Sequence, residues 1–313
     1  MSSNVKGLVD RTFREYLDTP DTVNSYSYLT GLVAVDANTV SYDGNLLSIE
    51  EEDALDAGAI IEIGQEIMFS TALNTVANEI TVKRAQRGTT ATSHDAGDII
   101  KIAPSFTRKA VYDAVCDQIE NLYPTIYAVE EQTIASATGY VALTGGDDNL
   151  IVAPLKAVSQ YQTLSSGSET SVQFRGVSME LIDVPTSVTA SGKVVQFFGI
   201  STGVNVHVSF KKKFGAVTNE DTTLTSIGLE SEYEPIIMAG VAAQVLAGKD
   251  IASMDTSFIT EQLNVANVPI GSANTIRNSL LQYQQLLIQQ ARKDLRARFP
   301  EPVSINSVVY PSA

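Results

Sequence analysis

Two prolines constrain the fold of this chain more than any other feature, because they separate regions with different sequence patterns. Pro104 and Pro124 stand at the two ends of the segment 105–123. The apolar residues of this segment recur at three- and four-residue spacing: Val111, Val115, Ile119 and Leu122. That spacing predicts an amphipathic helix, which Ser105 is suited to cap. One helix is therefore expected between two longer stretches of different character.

Both flanking stretches consist of short apolar or alternating runs separated by Gly, Asn and Asp, a pattern typical of antiparallel strands. Residues 22–103 predict a small all-β module, in which the acidic segment 48–58 is expected to be an exposed connector. Residues 126–232 predict a β-sandwich-like insertion domain, because turn sequences recur there at regular spacing.

Helical patterns account for most of the remaining chain. Residues 1–21 contain an N-terminal helix that is expected to join the core helix of 104–125 and the C-terminal helical region 233–299. The tail 300–313 is β-prone and is expected to be extended. The predicted fold class is therefore α+β: a small all-β module and a β-sandwich-like domain attached to an amphipathic, bundle-like helical core, with an extended C-terminal tail.

The charge of the chain is strongly negative and unevenly distributed. The formal net charge is −15, which argues against a protein that coats nucleic acid. Residues 1–103 carry sixteen acids and seven bases, whereas residues 277–298 carry five bases and one acid. This asymmetry suits electrostatic pairing between stacked protein surfaces, and a plain solvated surface explains it equally well.

Several classes of protein are not indicated by the sequence. The longest apolar runs are shorter than the ~20 residues of a membrane-spanning helix, and the amino end has no apolar signal core. The single cysteine, Cys116, excludes an internal disulfide and a cysteine-based zinc site. The acidic turn 145–149 lacks the ligand spacing of a calcium loop and predicts a hairpin turn.

Residues 83–102, "KRAQRGTTATSHDAGDIIKI", look most like a site of chemistry. A phosphate-binding loop would need a lysine and a following helix, whereas "DIIKI" predicts a strand. His94 and Asp95 are adjacent in sequence, so in a strand they point to opposite faces and do not form a catalytic pair. A surface or turn-stabilising role is predicted for His94, and no catalytic residue, metal ligand or cofactor site is predicted.

The same stretch resembles a module common in virion proteins of tailed bacteriophages. In that module a strand ending in G-x-E precedes a second strand, an R-G-x-x-G-T turn, A-x-x-H-x-x-G and a third strand. The matching residues here are Gly64, Glu66, Arg87, Gly88, Thr89, Ala91, His94 and Gly97. The chain departs from the pattern where many members have a second glycine before the threonine. These residues are expected to have a structural role in the turn, and Arg87, His94 and Asp95 are expected to fix it or to contact a neighbouring subunit.

The order of the segments resembles that of the head-to-tail adaptor (connector) proteins of long-tailed bacteriophages. The resemblance implies a structural, non-enzymatic protein that is made in the host cytoplasm and resides in the virion neck. It implies a ring of identical subunits, usually twelve, between the portal protein and the next neck or tail protein. DNA would pass through the lumen without specific binding, and neither a membrane nor a cofactor is implied.

Contacts with the portal or with other subunits are expected from the basic end of the last helix and from the tail. The tail can satisfy its backbone groups by adding to the sheet edge of a neighbour. The expected contact residues are Arg292, Lys293, Arg296, Arg298, Val303, Ile305, Val308, Val309 and Tyr310.

Two other functions stay open at this point. A baseplate or minor tail protein could bind a glycan through its β domain, with Tyr161, Phe197 or Phe198 stacking on the sugar. A cell-wall hydrolase is the third alternative, motivated only by His94, Asp95 and the resemblance to phage proteins.

Overall fold

The computed structural model shows an α+β protein whose paired strands are antiparallel. It describes residues 4–17, 25–137, 139–145, 147–166, 169–200, 203–247 and 273–299. The chain separates into two compact units. Unit 1 comprises Met1–Gln118 and Glu234–Gln284, and unit 2 comprises Ile119–Tyr233 and Gln285–Ala313. The six segments predicted from the sequence remain a prediction. No helix among the described residues is both long enough and apolar enough to cross a membrane.

Unit 1 contains a six-stranded antiparallel sheet with the strand order β1-β6-β3-β4-β5-β2. Its strands are β1 (Ser25–Tyr28), β2 (Thr39–Ser41), β3 (Ile60–Ile63), β4 (Glu66–Asn74), β5 (Glu79–Lys83) and β6 (Ile99–Ile102). Burial alternates along β5, where Ile80 and Val82 face inward, as a strand with one solvent-facing side requires. The inward side chains form one apolar core, which includes Val40, Leu55, Ile61, Met68, Ile80 and Ile100.

This sheet curls until its two outer strands meet. Leu29, directly after β1, forms a bridge with Tyr42, directly after β2. The amide of Thr30 donates to the carbonyl of Ser41 at 3.1 Å. The amide of Asp43 donates to the carbonyl of Tyr28, the last residue of β1, at 3.0 Å. The two outer strands are therefore joined to each other by backbone hydrogen bonds. In an open sheet the same backbone groups would hydrogen-bond to water instead.

The acidic segment 48–58, expected to be a connector, instead forms helix α2 (Ile49–Ala57). Ser48 and Glu51 form a capping box, in which the Ser48 hydroxyl accepts from the Glu51 amide and the Glu51 carboxylate accepts from the Ser48 amide. Leu55 is fully buried in the core of the sheet. Among the described residues, the buried side chain of Leu55, the cap and the hydrogen bond from Ser70 Oγ to the Leu55 carbonyl thus help to hold this mostly charged helix on the sheet.

Four further helices belong to the described chain. They are α1 (Val5–Thr12), α3 (Arg108–Leu122), α4 (Glu234–Val245) and α5 (Ala273–Arg298), and the division between the units falls within α3 and α5. The predicted cap of α3, Ser105, lies outside the helix. The hydroxyl of Thr107 accepts from the Ala110 amide at 3.3 Å instead, because the helix begins at Arg108.

Helix α4 is apolar over most of its length and is largely buried, with Gln244 as an exposed exception. Gly240 lets a chain of glutamines cross it, since an added Cβ would lie 2.2 Å from both Gln118 Oε1 and Gln284 Nε2. The Gln284 amide donates to Gln118 Oε1 at 2.8 Å, and Gln118 donates to Gln244 Oε1 at 2.9 Å. Gln244 in turn donates to the Asp117 carboxylate. Within unit 1 this network joins α3, α4 and α5.

Unit 2 contains two antiparallel sheets, with the orders β10-β9-β13-β7 and β11-β12-β8. The strands are β7 (Ala128–Ala137), β8 (Tyr140–Ala142), β9 (Ile151–Ser166), β10 (Glu169–Gly176), β11 (Ser178–Asp183), β12 (Lys193–Phe198) and β13 (Val204–Lys212). Both sheets contribute to one apolar core, which includes Ala137, Ile151, Val195, Phe197, Val208 and Phe210.

Candidate functional site

Glu66 is the centre of the motif that the sequence singles out. Gly64 adopts a φ of 59°, which suits glycine, and turns the chain from β3 into β4 so that Glu66 begins the new strand. The Glu66 side chain has no solvent exposure. A buried carboxylate needs compensation by cations or hydrogen-bond donors, and here five N–H donors from four residues provide it.

Arg84, which follows β5, is the main partner of Glu66. Its Nε donates to Glu66 Oε1 and its Nη2 to Oε2, both at 2.7 Å, as a bidentate pair. Its Nη1 donates to the carbonyls of Ala34 at 2.9 Å and Ala37 at 2.8 Å, and its Nη2 also donates to the carbonyl of Thr92 at 2.5 Å. All five N–H groups of the guanidinium are therefore used, which only arginine can provide.

His94 and two backbone amides complete the set around Glu66. The Nε2 atom of His94 lies 2.9 Å from Glu66 Oε2 and donates its hydrogen to the carboxylate. The amides of Thr92 and Ala85 also donate to Glu66, each at 3.1 Å. Burial alone would raise the pKa of Glu66, but the hydrogen bonds from Arg84, His94 and the two amides outweigh it and lower the pKa to about 2.

The other motif residues hold the turn around this cluster. Gly88 and Gly97 adopt φ values of 77° and 94°, where a side chain would be strained, and the Gly97 amide donates to the Leu29 carbonyl at 2.8 Å. Thr89 Oγ1 accepts from the Ile67 amide and donates to the carbonyl of residue 86. The module is therefore a network around one carboxylate.

The motif arginine, Arg87, does not belong to this network. Its side chain is exposed and forms no ion pair among the residues that the structure describes. Ala85 and Arg87 both have a φ of 53° without being glycine, a costly conformation that persists only where the surroundings impose it. Next to them, Arg84, which lies outside the motif, bonds to Glu66 and to the Thr92 carbonyl, and the Ala85 amide also donates to Glu66, so this part of the loop is held on the cluster.

His94 is only 6% exposed, so the predicted surface position is wrong, whereas its contact with Glu66 stabilises the turn. Asp95, its neighbour in sequence, is exposed, and its backbone amide donates to the Asp98 carboxylate at 3.0 Å. The structure thus pairs His94 with a carboxylate 28 residues away rather than with Asp95.

Glu62, in β3, is a second buried carboxylate of unit 1, with 1% exposure. It accepts a hydrogen bond from the amide of Arg108 at the start of α3, while its Oε2 has no hydrogen-bond partner among the residues that the structure describes. Burial raises the pKa of Glu62 to about 7, against the lowering effect of Lys101 and of the amides at the start of α3. The sequence gives little sign that Glu62 is buried, because Glu62 alternates with isoleucines as a solvent-facing residue of a strand would.

The basic end of α5 divides into two groups. Arg298 pairs with Glu230 and Glu232 within unit 2, at 3.4 Å from the former. Arg292, Lys293 and Arg296 are exposed, and in the described parts of the chain no carboxylate lies within ion-pair distance of them. The remaining predicted contact residues lie outside the described residues: Val303, Ile305, Val308, Val309 and Tyr310.

In the turn 145–149, the carboxylate of Asp148 accepts hydrogen bonds from groups of the protein itself. Asp148 is buried and accepts from Gln132 Nε2 at 2.9 Å and from the Gly145 amide at 2.6 Å. No group of three or more His, Cys, Asp or Glu side chains among the described residues could hold a metal ion.

Of the aromatic residues considered for glycan stacking, the two whose side chains the structure describes do not face the same way. Phe197 is 4% exposed and belongs to the core of unit 2, while Phe198 points the other way and is 46% exposed. The side chain of Tyr161 lies outside the described residues.

Comparison with protein-family models and with curated proteins finds no match to the chain. Its function is therefore inferred from the motif and from the geometry around Glu66.

Proposed function

We propose that this chain is a structural subunit of a bacteriophage neck, a head-to-tail adaptor that forms a ring between the portal and the next neck or tail protein. The observation that carries the proposal is the cluster around Glu66. Two residues of the motif that resembles one in phage virion proteins, Glu66 and His94, belong to a buried network in which Arg84 and His94 both bind the Glu66 carboxylate. Such a network suits a scaffold element that is reused in different virion proteins.

The chemistry of the cluster favours a scaffold over a reaction centre. A general base needs a pKa near the working pH and access to a substrate. Glu66 has a pKa of about 2, no exposed side-chain surface and five donors already bound to it. His94 is enclosed by the same contacts. Residues in this arrangement fix a loop, and they have no free position at which a substrate could bind.

The charge of the chain supports the role of a conduit. A channel for DNA must let the duplex slide, and a net charge of −15 repels phosphates rather than binding them. In this proposal the ring resides in the virion neck after synthesis in the host cytoplasm, and the DNA in its lumen makes no specific contacts with it.

Native mass spectrometry and negative-stain imaging of the purified full-length chain test the ring. We expect a closed ring with a central hole, of twelve subunits if the resemblance to adaptors extends to the stoichiometry. A chain that stays monomeric or trimeric at all concentrations would contradict the proposal.

Deletion of the tail after Pro300 tests the expected contact with the portal. Removing residues 301–313 is expected to weaken the binding of the ring to the portal by at least about tenfold, because an added strand contributes several backbone hydrogen bonds. Surface plasmon resonance with immobilised portal measures this. Equal affinity of the truncated and full-length chains would exclude the tail from portal binding.

The alternative proposal, a baseplate or minor tail protein with a glycan-binding β domain, has less support. Of the aromatic side chains considered for it, Phe198 alone is described as exposed, and one exposed ring does not distinguish a sugar platform from an ordinary surface. Saturable binding to host-surface glycans that is lost on Phe198→Ala would favour this alternative over the adaptor.

A further inference from the structure

The tip of the hairpin between β4 and β5 presents an apolar side chain to solvent. Val76 is 97% exposed, the largest value for a large apolar side chain among the described residues. Asn74 Oδ1 accepts from the Val76 amide at 3.2 Å and from the Ala77 amide at 3.1 Å. The amide of Tyr42 donates to the carbonyl of Asn78 at 3.0 Å, which ties the tip to the chain after β2. The tip is thus pre-organised, which lowers the entropy cost of binding a partner.

A half-open cleft of unit 1 has the chemistry to receive such a side chain. Its volume is about 350 Å³, and its apolar lining includes Pro104, Phe106, Ala110 and Val245. Among the described residues that line it, Arg87 is the one with a charge, and none is a carboxylate. The cleft therefore combines apolar walls with one cation, and it suits an apolar group that has an acid beside it.

Arg87 is the motif residue that the Glu66 cluster leaves unused. Its side chain is exposed, and no group in the described parts of the chain forms a hydrogen bond or an ion pair with its guanidinium. The loop that carries it is held by the bond from the Ala85 amide to Glu66 and by the bonds of Thr89. A guanidinium on a fixed loop is suited to bind a carboxylate of a partner.

The tip and the cleft lie at opposite ends of β4. Thr89, two residues after Arg87, bonds to the Ile67 amide near the start of this strand, whereas the tip follows its last residue, Asn74. A strand of nine residues spans roughly 25 Å. One copy therefore cannot place Val76 in its own cleft, but the tip of a second copy can enter it.

The tip also carries the acid that the cleft calls for. Glu79 begins β5 and pairs across the hairpin with Asn74. Its carboxylate forms no hydrogen bond or ion pair with any residue that the structure describes. Val76 matches the apolar walls and Glu79 matches Arg87, so one hairpin offers a counterpart to both properties of the cleft.

We propose that the hairpin tip of one copy inserts Val76 into the cleft of a second copy, where Glu79 pairs with Arg87. The two surfaces differ, so the contact is heterologous, and repeated copies can close into a ring. The proposal rests on the ring of the proposed function and specifies a contact that joins its subunits. A different neck protein that fills the cleft with its own apolar group is the competing occupant.

Val76→Asp tests the apolar part of the contact. The change is expected to raise the protein concentration for half-assembly by at least about 30-fold, because a charge would have to enter apolar walls. Val188→Asp is the matched control, since Val188 is also exposed, lies in a turn of unit 2 and undergoes the same change in charge. This control is expected to assemble like the original chain. Light scattering and native mass spectrometry over a range of concentrations measure assembly.

A charge exchange tests the ion pair. Arg87→Glu and Glu79→Arg are each expected to raise the concentration for half-assembly by about tenfold, because like charges then face each other. The chain with both changes is expected to return to within about threefold of the original, since the charges are complementary again. Circular dichroism confirms that each variant is folded.

The outcomes separate this contact from the ring itself. If Val76→Asp assembles like the original chain, or if the double charge variant assembles no better than the single ones, the contact is wrong while the ring proposal stands. Equal loss of assembly in Val76→Asp and Val188→Asp would reflect charge alone and would also contradict it. A Val76→Asp chain that forms the ring but no longer binds the portal would assign the tip to that partner instead. If the original chain forms no ring, the proposed function fails as well.

Discussion

Replacement of Arg84 by alanine is expected to lower the free energy of unfolding of unit 1 by about 3–5 kcal/mol. The change removes all five hydrogen bonds of the guanidinium and leaves the Glu66 carboxylate buried without its main cation. Arg84→Lys is expected to recover only part of the loss, since an ammonium has three donors and cannot form the bidentate pair. Urea unfolding followed by circular dichroism measures the effect.

Arg87→Ala is the matched control, because Arg87 lies three residues away in the same loop but is exposed. Its replacement is expected to change the free energy of unfolding by less than about 0.5 kcal/mol. The sequence motif contains Arg87 and omits Arg84, so motif and structure predict opposite rankings of the two variants. Similar losses for both arginines would show that the Glu66 cluster does not hold the module together.

Glu62→Gln is expected to increase the stability of unit 1 at pH 8 by about 2–3 kcal/mol. At that pH the wild-type carboxyl must be ionised although it is buried and, within the described parts of the chain, no donor bonds to its Oε2. Glutamine keeps an oxygen that can accept from the Arg108 amide and carries no charge. Thermal unfolding of both proteins between pH 4 and pH 8 measures the difference.

The direction of the pH dependence follows from the raised pKa of Glu62. The folded protein holds the proton up to about pH 7, whereas the unfolded chain releases it near 4.5, so wild-type stability falls as the pH rises through this window. Below pH 4.5 the two proteins are expected to have nearly equal stability. A stabilisation that is the same at pH 4 and pH 8 would contradict an effect of charge.

The pKa of Glu66 is shifted in the opposite direction to that of Glu62, so Glu66 serves as a comparison within the same protein. Its pKa is lowered to about 2, so its contribution is present above its ordinary value of 4.5 and is lost as the pH falls from there to about 2. Glu66→Gln is therefore expected to destabilise unit 1 at neutral pH, while the same change at Glu62 stabilises it. Two glutamates in neighbouring strands thus respond differently to one substitution.

The sequence predicts the elements of unit 1 better than their connections. Alternating residues such as Ile80 and Val82 identify strands because burial on one side requires that period. Helix α2 was missed because its acids suggested a loop, although the S-x-x-E pattern of Ser48 and Glu51 was a signal for its start. The bridge between Leu29 and Tyr42 could not be predicted, since it depends on how far the whole sheet curls.

For the Glu66 cluster, the sequence predicts the turn glycines but does not predict which arginine binds the carboxylate. Gly88 and Gly97 have the positive φ values expected of turn residues. Arg84 carries no local signal, because it is one of three cations in "KRAQR" and its acceptors at Ala34 and Ala37 are distant in sequence. Which of several arginines becomes buried is decided by tertiary structure, which brings those carbonyls together.

The curled sheet of unit 1 also limits where a strand from another chain could pair with it. Because Leu29, directly after β1, pairs with Tyr42, directly after β2, the described sheet leaves fewer unpaired backbone donors and acceptors at its edges than an open sheet would. The two sheets of unit 2, by contrast, end in β10, β7, β11 and β8. Among the sheets that the structure describes, those of unit 2 therefore offer more open edge to an added strand than the curled sheet of unit 1 does.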